Sequence, residues 1–155
     1  MATTVTVGWG APLIEVRKVS DTTGAWQKFA TPVDGSTSLE STQGDKMEAA
    51  IEGGTNEAVK YKANTYQLTF DVRQVPERTD PITDVDGVVS EEYSVRITPE
   101  NPAAISAYIQ RAAVNVQTKF DAENGLVRTY TFDVLKPDEG PQVKLGLKTE
   151  LFPEG

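Results

Sequence analysis

Neither cysteine nor histidine occurs among the 155 residues of this chain. Without Cys there can be no disulfide, thiolate zinc site, iron–sulfur cluster or cysteine nucleophile. Without His the commonest general base and metal ligand is gone. Ser-His-Asp triads, zincin motifs and imidazole-ligated haem go with it. Also missing is any run near the roughly 20 apolar residues of a membrane span. The N-terminal segment has no basic start, no long apolar run and no evident cleavage site, so no signal peptide is expected. Basic residues are outnumbered, with 15 Lys and Arg against 23 Asp and Glu for a net charge of −8. That balance argues against a protein that tracks nucleic-acid phosphates. A domain of about 150 residues buries roughly 68–70% of its unfolded surface and needs no staple to fold. The expectation is a single acidic domain over 1–155, built for assembly or recognition rather than catalysis.

What the chain does have is period-two alternation. In the segment 65–73, Tyr66, Leu68, Phe70 and Val72 point one way, while Gln67, Thr69, Asp71 and Arg73 point the other. Segments 93–97, 114–120, 126–135 and 143–148 repeat the pattern, and weaker strands are expected at 4–7, 13–19 and 37–42. Asn124-Gly125 supplies residues that accept positive φ, which predicts a hairpin between 114–120 and 126–135. Gly53-Gly54 does the same for an extended hairpin at about 46–62. There Met47, Ala49 and Ile51 are expected to share a face with Val59 and Tyr61. Glu48 and Glu52 would then lie opposite Lys60 and Lys62 on the other. A hairpin that cannot bury an apolar face within its own domain can complete itself on a neighbour. Met47, Glu48, Ile51, Val59, Lys60 and Tyr61 are therefore candidate subunit-interface residues, with an ordinary core face as the alternative.

One helix is expected, over about 102–112. Asn101 reads as its N-cap and Pro102 as its first residue. Ile105, Tyr108, Ile109 and Ala112 fall at i, i+3, i+4 and i+7, and Arg111 would suit the negative end of the dipole. The fold class is thus mainly β, an antiparallel barrel or sandwich with one flanking helix. Between two strands lies an acidic segment at about 74–92, whose net charge of −5 is most of the chain's total. Its length, Pro76, Pro81 and Gly87 predict a surface loop.

No catalytic constellation survives inspection. Asp84-Val85-Asp86-Gly87 matches part of an EF-hand loop, but the flanking ligand positions would be Ile82 and Tyr93, so that reading fails. An irregular calcium site on Asp80, Asp84 and Asp86 is a minor alternative. Carboxylate pairs for glycoside hydrolysis lack the apolar surroundings that would raise a pKa. Gly53-Gly54 leads from strand to strand and offers no helix N-terminus for phosphate. No catalytic residue, cofactor or metal ion is expected, and the chain is read as a non-enzyme. Trp9 and Trp26 could serve a monomeric β-sandwich as carbohydrate-stacking platforms. The alternative is that they plug a core end or a subunit interface.

Residues 31–54, TPVDGSTSLESTQGDKMEAAIEGG, together with the strand up to Arg73, resemble the early region of tail tube (major tail) proteins of tailed bacteriophages and related phage-tail-like particles. In that family a Gly-Asp element, here Gly44-Asp45, enters a hairpin with a Glu- and Gly-rich turn. The resemblance implies a structural subunit, found in the virion tail and made in the bacterial host cytoplasm. Such subunits form homo-oligomeric rings, hexameric in the family, that stack into a hollow tube alongside other tail proteins. DNA is then a non-specific cargo in transit, or effectors are held in an injection particle, and no membrane is involved. The 46–62 hairpin would touch a neighbouring subunit or ring. The wet strand faces, with Gln67, Thr69, Asp71, Thr129, Thr131 and Asp133, suit a water-filled lumen. Net acidity suits a conduit that must not retain phosphate.

Overall fold

The structure, a computed structural model, describes residues 5–21 and 23–151. Its elements in chain order are β1 (Leu13–Lys18), β2 (Gln27–Lys28), β3 (Ser38–Thr42), β4 (Lys46–Ala50), β5 (Asn56–Tyr61), β6 (Thr65–Arg73), β7 (Tyr93–Thr98), β8 (Ser106–Asp121), β9 (Gly125–Val134), β10 (Val143–Gly146) and the single-turn helix α1 (Lys148–Leu151). All ladders are antiparallel. The main sheet runs β2-β1-β7-β8-β9-β6-β3, and β10 also pairs with β8. The expected strand at 4–7 forms no ladder at residues 5–7, and Thr4 lies outside the described residues.

The 16-residue strand β8 organises this sheet. Its first half pairs with β7 along one edge and β10 along the other, and its second half pairs with β9. Strands β9 and β10 follow the same edge of β8 in the same direction, interrupted by an excursion over 135–142. Alternate positions then bury one face. Ile14 and Val16, Val95, Ile109, Val114 and Val116, Tyr130 and Phe132, and Leu68, Phe70 and Val72 form one cluster.

That cluster joins residues from opposite ends of the strand order, so the sheet folds over itself. Phe29, next to β2, donates its backbone N–H to the Ile14 carbonyl at 3.0 Å. Its ring meets Phe70, Tyr130 and Phe132 edge-on at 5.0, 4.8 and 6.5 Å between centroids. Among the described residues no ladder joins β2 to β3, so the result is a sandwich-like fold with no closed barrel.

The structure corrects the helix expected over about 102–112. Only the cap forms: Ala103 N–H donates to Asn101 Oδ1 at 3.0 Å and Ala104 N–H to the Asn101 carbonyl at 3.0 Å. From Ser106 the chain is strand. The pairs Tyr93↔Ala112 and Val95↔Ile109 leave an extra residue on β8, a bulge between the two halves. This shifts the buried positions from Ala107 and Ile109 to Ala112, Val114 and Val116. The bulge puts a spacing of three into a period-two pattern, which counterfeits a helical stripe. Pairing on both edges decides the outcome, because a helix here would strand the polar groups of β7 and β10. Arg111 lies at no helix end. It grips Glu92 through two bonds of 3.0 Å and also donates to the Lys136 carbonyl at 2.9 Å.

Because Phe29 packs its ring against Phe70, Tyr130 and Phe132 from the other end of the sheet, Phe29→Ala is expected to cost about 3–5 kcal/mol of stability. Denaturant unfolding of the purified protein measures it.

Candidate assembly surfaces

Strands β4 and β5 pair only with each other and stand clear of the main sheet, with every residue of both exposed. Four apolar side chains on this arm are left about half in water: Met47 at 45%, Ile51 at 50%, Val59 at 44% and Tyr61 at 52%. The alternative of an ordinary core face is thereby excluded for this chain by itself. The expected division of the faces is corrected by the register. Met47 lies opposite Lys60, Glu48 opposite Val59, and Lys46 opposite Tyr61. Residues directly opposite share a face, so Val59 and Tyr61 sit with Glu48 and Lys46, while Met47 sits with Lys60. A one-residue difference in pairing moves a whole strand's side chains to the other face. Here an irregularity at Ala49/Ala50 absorbs the odd residue that symmetric reading of the turn missed. The arm therefore presents mixed apolar and charged residues on both faces.

The six polar residues expected to line a lumen come together. Gln67 lies opposite Asp133, Thr69 opposite Thr131, and Asp71 opposite Thr129, on the sheet face away from the core. Gln67 Nε2 donates to Asp133 Oδ1 at 3.0 Å, and Thr129 Oγ1 donates to Asp71 Oδ1 at 2.7 Å. The face widens on both sides, through Ser38 and Glu40 of β3 and Asn115 and Gln117 of β8. It is a broad surface of short hydroxyl, amide and carboxyl side chains.

The acidic segment at 74–92 is pinned to the body. Ile82 is wholly buried in the core. The Asp80 side chain is only 7% exposed and accepts from Tyr130 OH and Gln74 Nε2, each at 2.7 Å. Arg128 lies 3.7 Å from Asp80 and pairs with Asp84, whose other oxygen accepts from the Gly87 N–H at 2.7 Å. The Asp86-Gly87 turn runs along β8, with Val116 N–H donating to the Gly87 carbonyl. A side chain at Gly87 would press on the Val116 carbonyl oxygen. Glu91 pairs with Lys18 at 3.1 Å and Glu92 with Arg111. The Arg111 guanidinium holds the Glu92 carboxyl below its ordinary range. Four of the six acids in this segment are thus matched to a cation. Asp80 and Asp84 converge on Arg128, and among the described residues no group of three acids is placed to hold a metal ion. Nothing in the spacing of Asp80, Asp84 and Arg128 along the chain announced this network.

The two tryptophans part company. Trp9 is 76% exposed and plugs no core end of this chain. The ring of Trp26 carries the Arg17 and Arg96 guanidinium carbons at 4.7 and 4.1 Å, with Tyr108 edge-on at 6.1 Å. A sugar would have to displace these cations to stack on Trp26. A cavity of about 710 Å³ opens between the two halves of the sheet, lined by Pro12, Pro32, Leu39, Leu68, Ile97 and Ala107 among others. Among the described residues no helix is long and apolar enough to cross a membrane.

Removing Arg128 would leave Asp80 buried without its cation. Arg128→Ala is expected to cost about 3–5 kcal/mol, read by urea unfolding. Burial and the Asp80 carboxylate together hold the Tyr130 hydroxyl well above its ordinary pKa of 10.0. The folded state therefore keeps a proton that the unfolded state releases, so stability falls as pH rises above 10. The same alkaline slope should be shallower in Tyr130→Phe, as measured by unfolding midpoints across pH.

Neither a protein-family model nor a curated protein sequence matches the chain. Among solved structures it is similar to a chain described as "Cryo-EM Structure of an Extracellular Contractile Injection System, PVC sheath/tube terminator in extended state". The TM-score is 0.64 at 14% sequence identity, and the match covers 94% of this chain and 99% of that one. At that identity the likeness is one of fold. The chain shares its mainly β fold with that sheath/tube terminator chain.

Proposed function

We propose that this chain is a structural, non-catalytic subunit of a phage tail or tail-like particle, one that assembles with copies of itself into rings stacked as a tube. The exposed β4–β5 arm carries the reading. Because Met47, Ile51, Val59 and Tyr61 are about half exposed, covering what remains is worth about 1 kcal/mol for each, roughly half of what full burial of an apolar side chain contributes. The chain itself buries none of them fully. A neighbouring copy that covered the arm would supply that burial in every subunit of a ring at once. The sequence resemblance at 31–73 and the shared fold with a terminator chain point the same way.

In this reading the face bearing Gln67, Thr69, Asp71, Thr129, Thr131 and Asp133 lines the lumen. Arg73 and Lys119 stand only at one end of this face, and along the rest the Asp71 and Asp133 carboxylates repel phosphate, so DNA or another cargo passes without being retained. Other tail proteins meet the ends of the tube. Ring size is taken from the family, where it is six.

A second reading is favoured by the structural likeness itself, to a chain described as a sheath/tube terminator: in it this chain forms a single ring that ends a tube. Size-exclusion chromatography and negative-stain microscopy of the purified chain separate the two. Long tubes are expected of a tube subunit and isolated rings of a terminator. A strictly monomeric protein at high concentration would overturn both. Tyr61→Asp should block assembly and leave the monomer's unfolding midpoint within error, because the side chain is exposed in the isolated chain.

A further inference from the structure

The arm is joined to the body at an unusual place. Strands β3 and β6 pair as far as Thr42↔Thr65, and β4 and β5 resume at Lys46↔Tyr61. The two ladders are halves of one long hairpin, broken at 43–45 and 62–64. Among the described residues two hydrogen bonds cross the break and a third reaches it from the body. Lys62 N–H donates to the Asp45 carbonyl at 2.8 Å. Gly44 N–H donates to Asn64 Oδ1 at 3.1 Å. Gln142 Nε2, reaching over from the 135–142 excursion, donates to the Asn64 carbonyl at 3.0 Å.

Each bond has a different anchor. The first belongs to the arm. The second ties the two crossing strands through a side chain. The third ties one of those strands to the segment between β9 and β10. Asn64 takes part in both of the latter, one through its side chain and one through its backbone. The strands also cross closely, since a Cβ at Gly44 would collide with the Lys62 and Ala63 carbonyl oxygens. An arm whose own residues are all exposed gains little from any one angle. Its direction is left to the few bonds at its root.

We infer that Asn64, held by Gln142, is the positioning residue of the arm: it sets the angle at which β4 and β5 leave the sheet. The joint at 43–45 and 62–64 is the pivot. If the arm engages a neighbouring copy, which rests on the tube-subunit reading, Asn64 preorganises that contact and lowers the ordering cost of docking.

The chain's lack of Cys makes the test direct, because introduced pairs can be spin-labelled alone. Ala58→Cys with Gln27→Cys reports arm against body, and Thr118→Cys with Gln27→Cys reports body against body. Distances are read on labelled chains diluted in unlabelled protein, so that only intramolecular pairs are seen. The arm–body distribution should be narrow in the parent and should broaden or shift in Asn64→Ala and in Gln142→Ala. The body–body distribution and the melting midpoint should not move. Exchange of the Gly44 amide proton should quicken about tenfold in Asn64→Ala, as for the loss of one hydrogen bond. Asn64→Asp keeps the acceptor oxygen and should keep the narrow distribution. If Asn64→Ala fails to fold, Gln142→Ala carries the test. An arm–body distribution unchanged in the variants, or already broad in the parent, overturns the inference whether or not rings form. A distribution that broadens in a protein forming no rings supports the pivot while overturning the tube-subunit reading.

Discussion

Strand β8 must satisfy two partners on one edge and keep a third in register on the other, and it does so by changing midway which alternate residues point inward. The bulge between Ile109 and Ala112 makes that change. It lets the first half lie between β7 and β10 and the second beside β9, with both halves directing apolar side chains into one core. The fold-over that follows brings β1 and β6 into the same cluster, and Phe29 closes it with three edge-on ring contacts. Once this core exists, the opposite faces of β6 and β9 are left for water. The β3–β6 ladder then becomes the root from which the arm projects.

Charge is organised by the same framework. The segment at 74–92 holds most of the chain's net negative charge, yet most of its acids face a cation supplied by the sheet. Arg128 stands on β9, Arg111 on β8 and Lys18 on β1. Each pair fixes one point of a long connection to a different strand, and Ile82 adds an apolar anchor. The acidity therefore holds the segment on the body more than it sets an outward field. Cargo passage in the proposed tube rests on the hydroxyl, amide and carboxylate side chains of the β6–β9 face, not on this segment.

Strands at 65–73, 114–120 and 126–135 are legible in the sequence because one face of each is buried, and burial writes period two into the residues; 93–97 is buried on both faces, and of 143–148 only Val143–Gly146 is strand, with Leu145 exposed. Pattern reading also found the polar face, since residues alternating with a core are adjacent once the strands pair directly opposite. It misread 102–112 because a bulge imitates helical spacing. It misjudged the arm's faces because register depends on one residue in the turn. The Arg128 network could not be read at all: Asp80, Asp84 and Arg128 are ordinary surface types until folding removes the water around them.

By itself the sequence determined a mainly β chain without thiol or imidazole chemistry, an extended hairpin at 46–62 and strands with one wet face. These follow from composition and local alternation, which no partner strand can alter. Tertiary structure decided how the sheet folds over, which strand occupies 106–112, which cations meet the acidic segment and where the arm pivots. Those features depend on residues far apart in the chain, and only the pairing of strands brings them within bonding distance.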